Sequence, residues 1–485
     1  MRRRHNLHLH NLRLHIDIPF GYHLRYLSCG LGGKHFLRVS IERILRATGW
    51  ALLVAVLVGG GGAAVAAPVE APNFPSAAER IFASVPQRLL QIRTLVVGAG
   101  EPTSTGSGFL VGADGLAITN YHVVSQAALE PNNYRLEYAA ADGGHGEVRL
   151  LAIDLPNDLA VVGLDKRDAP FFTFDDAAVE GSVPKGERLY SMGNPLDLGF
   201  TINEGTYNGL VERSYSERIH FTGALNPGMS GGPTVNAEGE VVGVNVAKRL
   251  GGELVSFLVP ARFAAALLQR VRDHETEPPQ DFRAEIGRQL GAWQASLYKS
   301  FGEDGFRSVA LGPYQAPETA ARWFDCSAQT NASVIPKPRA SVDSMNCRSA
   351  SGLFIANDLN TGLIQLSHSY IRAVGLNQFQ FANFLTQQSQ SRLIGGGAYR
   401  KWYTPQRCHE DFVATAASPD RPALRVVWCA QPYREFAGLY DVAVTAVTED
   451  HGSEALVSRL GLQAVGYDDA VALSKRFLEA VRSAK

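Results

Sequence analysis

Five cysteines in 485 residues, with no Cys-x-x-Cys pair among them, leave neither a zinc-ribbon nor a thioredoxin-like redox spacing. A transmembrane helix needs about 20 consecutive apolar residues, and the run ALLVAVLVGGGGAAVAA at 51–67 stops short of that. A strong net charge is missing too: the formal total is −1. That total hides a split, because residues 1–67 carry nine Lys/Arg against two Asp/Glu, leaving 37 basic and 45 acidic side chains for the rest. A body that acidic excludes nucleic acid as a non-specific partner. Six of the 13 His fall within the first 48 residues, so few remain for chemistry further on. No internal repeat or low-complexity tract interrupts residues 68–485. What is present is 45% hydrophobic, 9% aromatic and 19% charged. That is the balance of a globular chain, long enough for two or three domains.

The N-terminus reads as an address. Arg43 and Arg46 precede the apolar run, and Ala64-Val65-Ala66 offers the small-x-small pattern that a signal peptidase admits. Residues 1–67 are therefore expected to hold a signal peptide, with a mature chain beginning near Ala67 or Pro68 and a periplasmic or secreted protein. Retention of the segment would instead tether the protein to a membrane. The His/Arg-rich stretch ahead of it is too long for an ordinary leader. No Met occurs between Met1 and Met192, whereas Val39 opens VSIERILRATGW, a normal leader start. Residues 1–38 thus read as a mis-assigned start, with a metal- or nucleic-acid-binding tail as the alternative.

Two regions follow a Pro/Ala-rich linker at 68–80. After a helix or lead-in at 81–95, residues 94–268 consist of short apolar runs broken by Gly, Asn and Asp, such as GSGFLVGADGLAITN and GPTVNAEGEVVGVNVA. Many short strands at near-regular spacing predict an all-β barrel or sandwich, which the helix ARFAAALLQRVRD closes. The second region begins near Glu277-Pro278-Pro279, giving expected domains 81–276 and 281–485. In it Phe282, Ile286, Leu290, Trp293, Leu297 and Phe301 recur at spacings of three and four, one face of a helix. A hairpin LFIAND-LNTG-LIQLSHSYI, a pair HEDFVATAA and ALRVVWCA, and a last helix capped by Asp468 make the region α+β.

The chemistry concentrates in the first region. In Asn226-Pro227-Gly228-Met229-Ser230-Gly231-Gly232-Pro233 a serine sits among small residues, where amide N–H groups can converge on one point. The N–H groups of Gly228 and Ser230 suit an oxyanion hole; a plain Gly-rich hairpin loop is the alternative. Serine needs a base, and His122 follows a strand in Ala117-Ile118-Thr119-Asn120-Tyr121-His122. Asp158, in Asn157-Asp158-Leu159-Ala160, enters an apolar strand and suits the role of accepting the imidazole Nδ1–H. The order His, Asp, Ser is that of the chymotrypsin group.

Residues 104–268 resemble the trypsin-like protease domain of the HtrA type. The motifs that carry the likeness are Thr105-Gly106-Ser107-Gly108-Phe109, Thr119-Asn120-Tyr121-His122-Val123-Val124, Asp158-Leu159-Ala160, Gly193-Asn194-Pro195, the Ser230 loop and Ser256-Phe257-Leu258-Val259-Pro260. The resemblance implies a mainly β fold, a double β-barrel of chymotrypsin type with the site in the cleft between barrels. It implies a serine endopeptidase acting on protein or peptide through an acyl-enzyme, with His122 as base, Asp158 as orienting acid, Ser230 as nucleophile and no cofactor or metal. Gly243-Val244-Asn245 would pair with the substrate backbone. Ala224, six before the nucleophile, would floor the primary pocket, with Val244 and Phe257 among its walls. An uncharged floor predicts broad cleavage after small or medium aliphatic residues. Met229 departs from the Asn usual in the family, and Gly223 from an acidic or polar residue. No PDZ-like pattern follows, and homo-oligomers stay open. A catalytically silent scaffold acting through the second region is the rival function.

The resemblance does not extend to residues 281–485. Their four cysteines fall into two local pairs, Cys326/Cys347 and Cys408/Cys429, each 21 residues apart. An exported chain meets an oxidising compartment, so local disulfides are expected in an α+β accessory domain. Zinc with His368 and His409 is the weaker alternative, lacking any Cys-x-x-Cys spacing.

Overall fold

The computed structural model describes residues 76–248, 255–273, 279, 281–390, 393, 400–413, 421–449 and 452–483. The expected signal segment, 1–67, lies outside them, as does most of the expected linker. The end of that linker is helical instead: Ser76 and Glu79 form a capping box that starts α1, Ala77–Ala83.

β1 (Leu89–Val96) then takes up much of the stretch read as a helix or lead-in. It joins β2 (Pro102–Leu110), β3 (Leu116–Thr119), β4 (Tyr134–Ala140), β5 (His145–Asp154) and β6 (Leu159–Leu164) in a closed barrel of order β1-β2-β3-β6-β5-β4. β6 is buried at every position, as befits a strand that reads LAVVGL. α2 (Tyr121–Leu129) is inserted after β3, and α3 (Asp176–Glu180) leads to the second barrel. That barrel comprises β7 (Arg188–Gly193), β8 (Thr201–Leu210), β9 (Ile219–Phe221), β10 (Pro233–Val235), β11 (Val241–Lys248) and β12 (Ser256–Pro260), in the order β10-β11-β12-β9-β8-β7. α4 (Ala261–Arg272) closes it. Two closed six-stranded barrels are the expected architecture.

The second region opens with α5 (Phe282–Asp304), whose apolar stripe Ile286, Leu290, Trp293, Leu297 and Phe301 is buried as its spacing requires. Asp281 caps it through its side chain, and Gly305, at φ 68°, ends it. β13 (Phe306–Leu311) and β14 (Tyr314–Thr319) form a small sheet with β24 (Arg482–Ser483). The main sheet has seven strands: β15 (Phe324–Thr330), β16 (Ala340–Ser349), β19 (Ile364–Ala373), β20 (Arg407–Val413), β21 (Leu424–Pro432), β22 (Leu439–Thr448) and β23 (Glu454–Gly466), with α6 (Gln378–Gln388) and α7 (Tyr467–Glu479) between and after them. Their order is β15-β16-β19-β23-β22-β21-β20. The remaining strands, β17 (Leu353–Ala356) and β18 (Leu359–Thr361), pair only with each other. The expected hairpin LFIAND-LIQLSHSYI is therefore split: its first half turns back on β18 at once, and β19 pairs with β16 and β23. Asp468 lies inside the first turn of α7 rather than at its cap, where a carboxylate still favours the helix dipole.

Both disulfides take the local pairing, Cys326–Cys347 and Cys408–Cys429. In each, the two cysteines are cross-strand partners. β15 and β20 are the outermost strands, so each bridge fastens one edge of the sheet to its neighbour. Edges are where a sheet frays and recruits foreign strands. With these sulfurs bonded to one another, these four cysteines offer zinc no thiolate. His368 lies buried in the sheet with Nδ1 3.0 Å from Ser458 Oγ, while His409 is exposed.

The described residues from 76 onward lie in one compact unit. One apolar cluster includes Tyr121, Val124 and Leu129 of α2, Leu155, then Ile286 and Leu290 of α5, Ile355 of β17 and Leu460 of β23. A second joins the rest of the first barrel to the second barrel, from Phe109 through Val244 to Leu268. That first cluster draws on residues from both sides of the boundary expected near 277–280.

Candidate active site

Asp158 and His122 meet because of how α2 begins. The first N–H groups of any helix lack intrahelical acceptors, and at α2 the Asn120 side chain supplies none. Asp158 fills that role from the turn before β6: its Oδ1 accepts the His122 backbone N–H at 2.9 Å, and its Oδ2 stands 2.7 Å from His122 Nδ1. One carboxylate thus caps the helix and fixes the imidazole. The Asp158 carbonyl accepts in turn from Tyr121 N at 3.1 Å and Asn120 Nδ2 at 2.8 Å. All this requires Asp158 at φ 59°, a left-handed conformation that aspartate tolerates better than most residues. Asp154, the neighbouring carboxylate, holds Asn157 through its backbone and side-chain N–H and takes no part in orienting the imidazole.

Burial works to lower the His122 pKa, but the Asp158 charge and its hydrogen bond outweigh it, so the value rises above the ordinary imidazole range. The side chain remains 28% exposed. Arg218, partly buried nearby, has its pKa lowered by burial against the opposing pull of Asp158 and Asp154.

Ser230 stands on a loop whose shape its neighbours impose. Pro227 and Gly228 occupy the centre of a turn closed by Met229 N donating to Asn226 O at 3.0 Å, and Gly228 has φ 95°. Gly231 has φ 84°, and a Cβ there would stand 2.3 Å from the Ser107 carbonyl oxygen. Met229, the departure from the family pattern, is fully buried in the core of the second barrel, with its sulfur 3.5 Å from Asn203 Nδ2. Asparagine at that position is thus replaced by an apolar anchor. The Gly228 and Ser230 N–H groups find no acceptor among the described residues. Ser230 Oγ donates to the Val246 carbonyl at 3.1 Å.

Three contributors escaped the reading of single motifs. Ser107 is the hub beneath the loop: its N–H donates to Ser230 O at 2.7 Å and its Oγ to Gly228 O at 2.7 Å, while its Oγ accepts from Asn194 N at 3.0 Å. The signal was the small-residue run Thr105-Gly106-Ser107-Gly108, which ties the two barrels across the cleft. Val246 presents its carbonyl to Ser230 Oγ. Phe354, from the second region, stands against His122 with ring centroids 5.9 Å apart and planes at 73°.

Other expected residues are placed differently. Gly243, Val244 and Asn245 do not offer a free edge. Gly243 and Val244 pair with Pro260 and Val259 on one side and Thr234 and Pro233 on the other. Asn245 N donates to Gly232 O and its carbonyl accepts from Gly231 N. Its side chain is buried among Ser191, Thr234, Met192 O and Met229 O. The carbonyl that meets Ser230 Oγ belongs to Val246, one residue on. Ala224 is exposed, with its carbonyl held by Asn203 Nδ2 at 2.8 Å, and so does not floor an enclosed pocket. Phe257 is partly buried in β12, opposite His220 and Ala247.

Two closed barrels, a bonded His–Asp pair and a Gly-rich serine loop are the features of trypsin-like serine proteases. Residues 106–244 match the model of the trypsin-like peptidase domain family. This part of the chain is a trypsin-like peptidase domain of the HtrA type. Among curated relatives, it is similar to a protein of Marinomonas sp. (strain MWYL1) named "Probable periplasmic serine endoprotease DegP-like", 31% identical over 42% of this chain and 42% of the relative. It is also similar to the serine protease HTRA3 of Homo sapiens, 31% identical over 41% of this chain and 44% of the relative. A solved structure of the serine endoprotease from Yersinia pestis matches over 42% of this chain and 69% of that one, at 21% identity and a TM-score of 0.36. The chain spans less than half the length of the curated relatives named here.

Proposed function

We propose that the protein is an exported serine endopeptidase. The observation that carries this reading is the doubly bonded Asp158–His122 pair, 2.7 Å at Nδ1 and 2.9 Å at the backbone N–H. It leaves His122 Nε2 to act as the base. In the reaction Ser230 Oγ leaves the Val246 carbonyl, gives its proton to Nε2 and bonds to the scissile carbonyl carbon. The oxyanion formed is received by the N–H groups of Gly228 and Ser230. Collapse expels the amine, protonated by the imidazolium, and leaves an acyl-enzyme; water then repeats the sequence and frees Ser230. The vacated Val246 carbonyl is free to accept the N–H of the cleaved residue, which would align an extended substrate with the tail of β11.

Cleavage after small or medium aliphatic residues is the proposed preference, although Ala224, being exposed, lends it no support. One methylene in an apolar site discriminates by only about 1–3 kcal/mol, so the preference is broad. Export is supported by the two disulfides and by the periplasmic naming of the Marinomonas relative. Among the described residues no helix is long and apolar enough to cross a membrane.

Ser230 Oγ bonded to Val246 favours one other reading, a silent scaffold in which the hydroxyl is held permanently away from the base. Ser230→Ala and His122→Ala distinguish them. In an active triad either change lowers turnover by about 10⁴ to 10⁶; peptidase activity surviving in purified Ser230→Ala would overturn the assignment.

A further inference from the structure

We propose that the second region completes the active site, with Phe354 acting as a positioning and specificity-determining residue beside the catalytic histidine. The inference rests on the endopeptidase reading.

The β17–β18 hairpin is fastened to α2 by its inner face. Leu353 and Ile355 are buried, and the Ile355 carbonyl accepts from the fully buried Tyr121 hydroxyl at 2.8 Å. Successive side chains of a strand point to opposite faces. Phe354 therefore leaves the opposite face of β17, only partly buried, and reaches the first turn of α2. Its ring meets His122 edge to face at 5.9 Å and Tyr121 at 6.2 Å. Docking the hairpin needs Leu353, Ile355 and Leu359, all in the shared core. Phe354 adds a partly buried phenyl ring at the margin of that core. What that ring does contact is the imidazole whose Nδ1 is already held by Asp158. The ring adds a second restraint on the plane of the base and shields one side of it from water.

The same placement bears on the substrate. If the N–H of the cleaved residue bonds to the Val246 carbonyl, the substrate lies extended along the second barrel. The side chain preceding the cleaved residue then points the opposite way, towards His122 and the first barrel. Phe354 is the apolar surface on that side. It is supplied by the second region, and nothing in the protease motifs encodes it. An apolar side chain before the cleaved residue would pack against the phenyl ring, and a Gly or charged residue would forgo that contact.

The test compares the full wild-type chain with Phe354→Ala and Phe354→Leu on a peptide library varied at the residue before the cleavage point. Fluorophosphonate labelling of Ser230 counts competent sites. Wild type should favour apolar over Gly at that position. Phe354→Ala should still label, but lose about 2- to 10-fold of that preference, the scale of one aromatic contact. The loss should appear in KM for apolar substrates and in kcat for all of them, with Phe354→Leu restoring most of the KM effect. An unchanged preference in Phe354→Ala overturns the inference and leaves the endopeptidase reading intact. Should Phe354→Ala not fold, the wild-type and Phe354→Leu profiles carry the same comparison against Phe354→Trp, and identical profiles in all three overturn it. A wild-type chain that neither labels nor cleaves overturns the endopeptidase reading itself.

Discussion

Asp158 concentrates several duties in one side chain, and that makes it the most informative single position. Asp158→Asn keeps an oxygen for the His122 backbone N–H but places an N–H where Oδ2 accepted from Nδ1. The imidazole is then driven to the wrong tautomer, and turnover should fall by about 10⁴. The residual activity carries a second signature. Two influences raise the His122 pKa, the charge of Asp158 and its hydrogen bond, and both vanish with the carboxylate, while burial still lowers it. A base works only when neutral, so activity is lost as pH falls through that pKa. The acid limb of kcat/KM should thus move to lower pH in Asp158→Asn, and a limb that stays in place or moves upward would contradict the assigned pairing. His122, Asp158 and Ser230 were singled out as candidates because each belongs to a local motif with a definite chemical demand. Val246 and Phe354 were not. A carbonyl contributes through its direction, which no residue type encodes, and a Phe in LFIAND reads as core until the strand's facing is known.

At the scale of elements, the seven-stranded sheet holds one buried acid. Asp441 is 2% exposed, and its carboxylate accepts from the Tyr433 hydroxyl at 2.7 Å and from Ala464 N at 2.9 Å. Burial pushes its pKa up from 3.8 to about 6, the hydrogen bonds notwithstanding. The folded state therefore holds this proton more tightly than the unfolded state. Stability from this group is full below about pH 4 and is lost as pH rises towards 6. Asp441→Asn retains an acceptor for both donors and carries no charge. Relative to wild type it should gain on the order of 2–3 kcal/mol between pH 4 and pH 7, measured as urea unfolding midpoints at the two pH values. A difference that does not change with pH would show that the carboxyl is not titrating in that window. Elements with a repeating physical requirement were readable in advance. The stripe of α5 follows the 3.6-residue period, and each pair of cysteines lies opposite across a hairpin. The hairpin β17–β18 was misread because LFIAND and LIQL are equally apolar, and only packing against α2 and Tyr121 decides which of the two strands pairs with β18.

For the whole molecule, the shared core is the feature that sequence concealed. A change of composition near Glu277-Pro278-Pro279 marks a change of architecture, but burial is a property of three-dimensional neighbours, and α2 is covered by α5 and β17. A fragment ending at residue 273 should therefore be damaged at the active site. The Tyr121 hydroxyl loses Ile355 as its acceptor, a loss of about 1–3 kcal/mol if no water replaces it, and the apolar face of α2 is laid open. Hydrogen exchange at α2 should rise in the fragment, and Ser230 should label poorly; a fragment that melts and labels like the full chain would refute the shared core. The central claim, a working His122–Asp158–Ser230 triad, is tested most directly by a fluorophosphonate probe on the intact protein, followed by mapping of the modified residue. The prediction is one probe per chain, bonded to Ser230, with labelling lost in His122→Ala although Ser230 is present. Folded protein that takes up no probe, or that is labelled at another residue, would contradict it.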